Sequence, residues 1–227
     1  FLLLALSTGA VGAVAFFILT TTVMRTWHLS WPGLKPHWSG DFNWGIFAGL
    51  VVVDIIFMAL NTGEMPRLHR ANWDFTLSAF EAAVMEETLF RFAILGILFY
   101  AWRNVKQRLP LALATSSILF GIVHLTNYGP QEWSMTVLQA VSAAGIGLFF
   151  ATVYVYTGQL WLAMVMHFLL DWTAFIASDS TLMTGKVTVQ NWIGTGIELV
   201  VFIGIAVWMM FGQRRQVMER HVNRLTG

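Results

Sequence analysis

An all-α bundle of about seven membrane helices, within a range of six to eight, is the fold class that this sequence predicts, on three observations. Hydrophobic residues make up 57% of the 227 and charged residues 11%, far below the roughly 25% charge of a soluble domain. Seven stretches approach the ~20 apolar residues needed to cross a hydrocarbon core about 30 Å thick. They run approximately 1–24, 43–61, 75–101, 109–125, 134–156, 159–177 and 191–212. Tryptophan gathers at their ends and in the loops, at Trp27, Trp31, Trp38, Trp44, Trp102, Trp133, Trp161 and Trp192, as expected of residues that favour the membrane interface. The connections are short and free of low-complexity runs or repeats, so residues 1–227 read as a single transmembrane domain.

The first segment starts at Phe1 rather than methionine, which suggests numbering from a processed or incomplete N-terminus. It lacks the charged start and small-residue cleavage pattern of a signal peptide. It is therefore counted as a helix of the domain; as a signal peptide it would leave six. The second segment carries one acid, Asp54, whose role would be a structural hydrogen bond inside the bundle or tuning of a site. The third holds Glu81, Glu86, Glu87 and Arg91 in the middle of hydrocarbon. The fourth ends at His124. On the fifth, Ala143, Gly147 and Ala151 form a small-residue row suited to close helix packing, with a dimer face as the alternative. The sixth contains His167 and Asp171, and the seventh Glu198. Beyond it, Val217, Met218, His221, Val222 and Leu225 recur at helical spacing beside arginines. That pattern fits a helix on the inner membrane surface or a solvated extension of the last span. His28, His37, His69 and His221 fall in loops or the tail and read as ordinary solvated histidines.

Orientation follows from lysine and arginine in alternate loops. Arg25, Lys35, Arg103, Lys106, Arg108, Arg214, Arg215, Arg220 and Arg224 share one side; Arg67, Arg70 and Lys186 share the other. The C-terminus is accordingly expected in the cytoplasm, and the compact size favours a bacterial cell membrane. The arginines are those of membrane orientation, so nucleic acid is not an expected partner; the lipid bilayer is.

A charge at the bilayer centre costs about 2.5–3.5 kcal/mol on insertion scales, so the charges of the third segment need partners. Residues four apart share a helix face. Glu87 and Arg91 are spaced to neutralise each other, which leaves Glu86 to face a polar cavity. His167 and Asp171 have the same spacing, and the expectation is that Asp171 accepts from one ring nitrogen and aims the other inward. Counted along the helices from the basic side, Glu87 lies ~22 Å deep, His124 ~24 Å, Asp171 ~20 Å and His167 ~14 Å. Three helices thus bring these groups within about two turns of one another.

A carboxylate, two histidines and an orienting acid suffice for hydrolysis by an activated water, with Glu86 as general base, His124 sharing the water and His167 donating to the oxyanion. The same groups suit zinc bound through His124, His167 and Glu86. Spacing leaves both open. The chain has no cysteine, which excludes a thiol nucleophile and thiolate ligands, and the His-Glu-x-x-His pair of soluble zinc proteases is absent.

Together, Glu86-Glu87-Thr-Leu-Phe-Arg91, Phe120-Gly-Ile-Val-His124 and His167-Phe-Leu-Leu-Asp171 resemble the EExxxR, FxxxH and HxxxN/D motifs of the CAAX protease and bacteriocin-processing family, also called CPBP or Abi. The resemblance covers residues 75–177. It implies an intramembrane endopeptidase acting on a membrane-associated peptide or protein, with Glu86 as catalytic base and His124 its partner on the water. His167 and Asp171 would stabilise the oxyanion, with Glu87 and Arg91 as the supporting pair. Asp171 stands where the prenyl-protein members carry Asn, which makes a prenylated substrate less expected. Members are commonly labelled metalloproteases, while a metal-free glutamate mechanism has been argued for the CAAX enzymes. The expectation here is no cofactor, with zinc as the alternative.

Charge counting places the site in the outer half of the membrane, which points to exported or membrane-embedded peptides rather than cytosolic CAAX processing. Two other functions compete. A non-catalytic bacteriocin self-immunity or partner-binding protein on the same scaffold would protect without Glu86 and His124. A proton-coupled transporter would use the buried acids and histidines as a relay, but the sequence lacks an inverted repeat.

Overall fold

The structure is a computed structural model, and it describes residues 2–29, 33, 42–62, 68–183 and 185–226. Trp31, Lys35, His37, Trp38 and Arg67 lie outside the described residues, as does the side chain of Leu225. Every predicted segment is a helix: α1 Leu2–Thr26, α2 Trp44–Thr62, α3 Trp73–Glu87 continuing through a π-helical stretch Thr88–Ile94 into α4 Leu95–Ala101, α5 Arg108–Val123, α6 Trp133–Thr157, α7 Leu160–Ser178 and α8 Val189–Met209. A further helix, α9, covers Gly212–Thr226.

Within the described residues, five stretches are both long and apolar enough to cross a membrane: Gly9–Thr26, Arg108–Asn127, Trp133–Thr157, Leu160–Ser178 and Val189–Met209. A shorter apolar helix covers Trp44–Leu60. The run from Trp73 to Ala101 is unbroken, but Asp74, Glu81, Glu86, Glu87 and Arg91 lower its hydropathy. The protein is an integral membrane protein built as a helical bundle.

Local chemistry sets the helix ends. The Asn72 side chain accepts from Phe75 N–H at 2.8 Å to start α3, and Thr188 with Asn191 forms a reciprocal capping box on α8. Gly158, at φ +68°, closes α6.

The bundle is arranged around α6, which packs against α5, α7, α8 and α9, while α3 lies between α1 and α7. Ala143, Gly147 and Ala151 are buried within the chain, and a Cβ on Gly147 would stand 2.9 Å from the Phe120 ring. The small-residue row is therefore filled by α5 and is not available as a dimer face.

The tail departs from both expectations. Gly212, at φ +62°, breaks it from α8, and α9 folds back with Val217, Met218, His221 and Val222 buried against α6 and α4. Its apolar face meets protein rather than lipid or water. His221 is correspondingly a buried residue whose Nδ1–H donates to the Val155 carbonyl at 2.9 Å. Arg108 reaches Glu219 at 3.3 Å and also bonds Asn223, so the basic loop and the basic tail share one end of the bundle.

Candidate active site

The third helix carries its charged residues at the point where the α-helix widens. Glu86 and Glu87 are the last residues of α3, and Arg91 lies in the π-helical turns Thr88–Ile94 that follow. Such turns often occur at functional sites because they shift side-chain direction without breaking the helix. From α5, Ser116 Oγ donates to the Phe90 carbonyl at 3.0 Å, tying this widened stretch to the helix that bears His124.

Glu87 and Arg91 pair as expected, Nε to Oε2 at 3.1 Å, with side chains 0% and 1% exposed. The Arg91 guanidinium lies 4.2 Å above the Phe120 ring and 6.0 Å from that of Phe150. Its Nη atoms make no hydrogen bond among the described residues; the two aromatic faces receive the cation instead.

His167 is the meeting point of the acids. Its Nδ1 lies 2.8 Å from Glu87 Oε1, and its Nε2 lies 3.3 Å from Asp171 Oδ2 and 3.7 Å from Glu86 Oε2. Asp171 therefore does not hold the orienting nitrogen, as the i,i+4 spacing suggested. Glu87 does, and Asp171 shares the opposite nitrogen with Glu86. The physical reason is that Glu87, fixed by Arg91 and sealed from solvent, points across the α3–α7 interface at the ring. Both imidazole nitrogens face carboxylate oxygens, an arrangement suited to the doubly protonated ring.

The two neighbouring glutamates differ in access. Glu87 is closed in, whereas Glu86 is 30% exposed along its side chain and Asp171 25%. Glu86 Oε2 is nonetheless buried and has no hydrogen-bond partner among the described residues. One carboxylate thus reaches from accessible space to a buried edge beside His167.

His124 is half-buried and caps α5, its Nδ1–H donating to the Phe120 carbonyl at 2.7 Å. A carbonyl only accepts, so the Nε2 of the neutral ring carries the lone pair. The Phe120 ring makes an edge contact with each histidine, 4.8 Å from the His124 ring and 6.0 Å from that of His167. Phe150 closes the other side of His167 at 5.4 Å. Glu86, Glu87, His167 and Asp171 are in one contact group, and His124 joins it through contact with Phe120. Among the described residues no three His, Asp or Glu side chains are gathered to hold a metal ion.

The other acids of the membrane segments sort into three cases. Asp54, 6% exposed on α2, lies within electrostatic range of His167 and so belongs to the surroundings of the site. Glu81 presses its carboxylate against Gly9 of α1, an interhelical position. Glu198 accepts from Ser142 Oγ at 2.8 Å and joins α8 to α6. Sequence reasoning missed Phe150 and Ser116, which carry no signal beyond apolar or small character. It quoted Phe120 in a motif without giving it a role.

No curated protein and no solved structure matches the chain. Residues 69–173 match the family described as type II CAAX prenyl endopeptidase Rce1-like. This stretch spans α3 through most of α7 and supplies Glu86, Glu87, Arg91, Phe120, His124, His167 and Asp171, so the part of the chain that is similar to the Rce1-like type II CAAX prenyl endopeptidase family is the part that carries the site.

Proposed function

We propose that the protein is an intramembrane endopeptidase that hydrolyses a peptide bond in a membrane-associated peptide or protein. The observation that carries this reading is the convergence of Glu86, Glu87 and Asp171 on His167, with one Glu86 oxygen buried and without a hydrogen bond among the described residues. Glu86 takes a proton from a water held between its carboxylate and His124 Nε2, and the water oxygen attacks the peptide carbonyl. His167 Nε2–H, held by Glu87 at the other nitrogen and flanked by Asp171, donates to the oxyanion. The C–N bond then breaks, and the proton collected by Glu86 passes to the leaving amine. No step of this route passes through a metal. The basic end, with α9, faces the cytoplasm of a bacterial cell, and the site opens toward the opposite half of the membrane.

The test is cleavage of quenched membrane-proximal peptides, prenylated and unprenylated, by the purified protein and its Glu86→Gln variant, each with and without a strong zinc chelator. Cleavage that survives the chelator and falls by about 10²–10⁴ in the variant is expected, the range associated with a positioned general base. A fully active Gln variant would exclude Glu86 as the base, and loss under chelator would exclude the metal-free route. Cleavage of the prenylated peptides alone would assign a prenylated substrate.

A further inference from the structure

His124 does not sit in a regular helix. It opens a 3₁₀ turn, His124–Asn127, at the start of the connection from α5 to α6. Side chains three apart eclipse one another in a 3₁₀ turn, so Asn127 lies on the same edge as His124. Asn127 Nδ2 lies 2.9 Å from Gln139 Oε1 on α6. At the far end of the connection, Gln131 Nε2 lies 2.7 Å from the same Gln139 oxygen. Gln131 is 4% exposed, and its Oε1 is buried with no hydrogen-bond partner among the described residues, so its side-chain bond is the one to Gln139. Both ends of the connection are pinned to one atom.

Gln139 adjoins a close approach of the two helices. A Cβ on Gly121, three residues before His124, would stand 2.5 Å from the carbonyl of Ala140, the residue after Gln139. The α5–α6 spacing is therefore fixed by backbone contact at Gly121, and the rotation of the turn beyond it by the amide cluster. Phe120, whose carbonyl takes the His124 Nδ1–H, is held between the same helices.

We infer that Gln139 is a positioning residue: by clamping Asn127 and Gln131 it sets the direction of His124 Nε2 toward the water and the scissile carbonyl. The inference deepens the peptidase reading and rests on it for its kinetic consequence. Its structural content stands apart, because it concerns the order of the turn.

The experiment uses the full chain with Gln139→Leu, which keeps the side chain's bulk and removes the amide, and Gln139→Glu. A carboxylate at 139 can accept from both neighbouring amides, whichever way each is turned. The chain has no native cysteine, so a spin label on Pro130→Cys, an exposed position within the connection, reports its order in detergent or bilayer independently of activity. With Gln139→Leu, label mobility is expected to rise and kcat to fall roughly ten- to hundredfold, the cost of a displaced catalytic group, with KM almost unchanged. Gln139→Glu is expected to restore both. Unchanged label mobility in Gln139→Leu would overturn the inference. So would a rise in KM at constant kcat, which would make Gln139 a substrate contact. Should the wild type cleave no peptide, the peptidase reading fails while the label still decides whether Gln139 orders the turn.

Discussion

Two buried histidines in different parts of the bundle show how one residue type is put to different uses. His167, in α7, has carboxylate oxygens at both ring nitrogens, 2.8 Å from one and 3.3 and 3.7 Å from the other. His221, in α9, is 2% exposed, donates to a backbone carbonyl and has Arg220 and Arg224 nearby. An acid cluster supports a charged, proton-handling ring; a carbonyl inside a basic surface supports a neutral ring that joins two elements. Burial alone does not separate the roles, and the partners do.

The largest difference should appear in activity. Glu86→Gln is expected to remove the base from the first region and lower cleavage by about 10²–10⁴ with the folded state retained. His221→Leu should leave kcat unchanged and cost about 1–3 kcal/mol through the carbonyl it leaves unpaired, read as a lower unfolding temperature in detergent. A His221→Leu variant as inactive as Glu86→Gln would erase the contrast.

Next comes the sealed pair that holds His167. Arg91→Met leaves Glu87 buried without its cation, with an expected cost of about 3–5 kcal/mol. The double change with Glu87→Gln should cost much less than the sum, since each partner is mainly costly when alone. Additive losses measured by thermal unfolding would show that the two do not act as a unit. Smaller still is Gly121→Ala, whose methyl meets the Ala140 carbonyl at 2.5 Å and the Ala144 Cβ at 2.8 Å. Separating α5 from α6 is expected to cost about 1–3 kcal/mol, again read from thermal unfolding.

The smallest effect is a pH dependence confined to the second region. Burial holds His221 below its ordinary histidine value, and Arg224 and Arg220 act in the same direction, against the Val155 carbonyl. With its docked pKa depressed, the undocked ring binds more protons as pH falls through about 6.5. The contribution of His221 to docking is therefore complete above that pH and lost progressively below it. Proteolysis at the α8–α9 joint should accelerate in mild acid, and His221→Gln should remove that acceleration. An unchanged acid response in the Gln variant would place the titrating group elsewhere.

Much of the fold was legible in the sequence because a membrane helix satisfies its backbone internally and only its apolar length remains to be read. The seven segments, the Glu87–Arg91 pair and the meeting of Glu86, His167 and Asp171 follow from hydropathy and a 3.6-residue repeat. So does the amphipathic pattern of Val217, Met218 and Val222 that α9 buries. What covers such a face is not encoded in its period, so protein rather than lipid or water under α9 emerged only from the packing. Likewise, which acid takes His167 Nδ1 depends on how α3 and α7 cross. Spacing within α7 pointed to Asp171; contact between the helices gave the place to Glu87. The π-helical widening at Thr88–Ile94, the contact of Phe120 with both histidines and the shared Gln139 oxygen depend on residues distant in sequence coming together. Local periodicity fixes which face a residue occupies, and tertiary packing alone decides what that face meets.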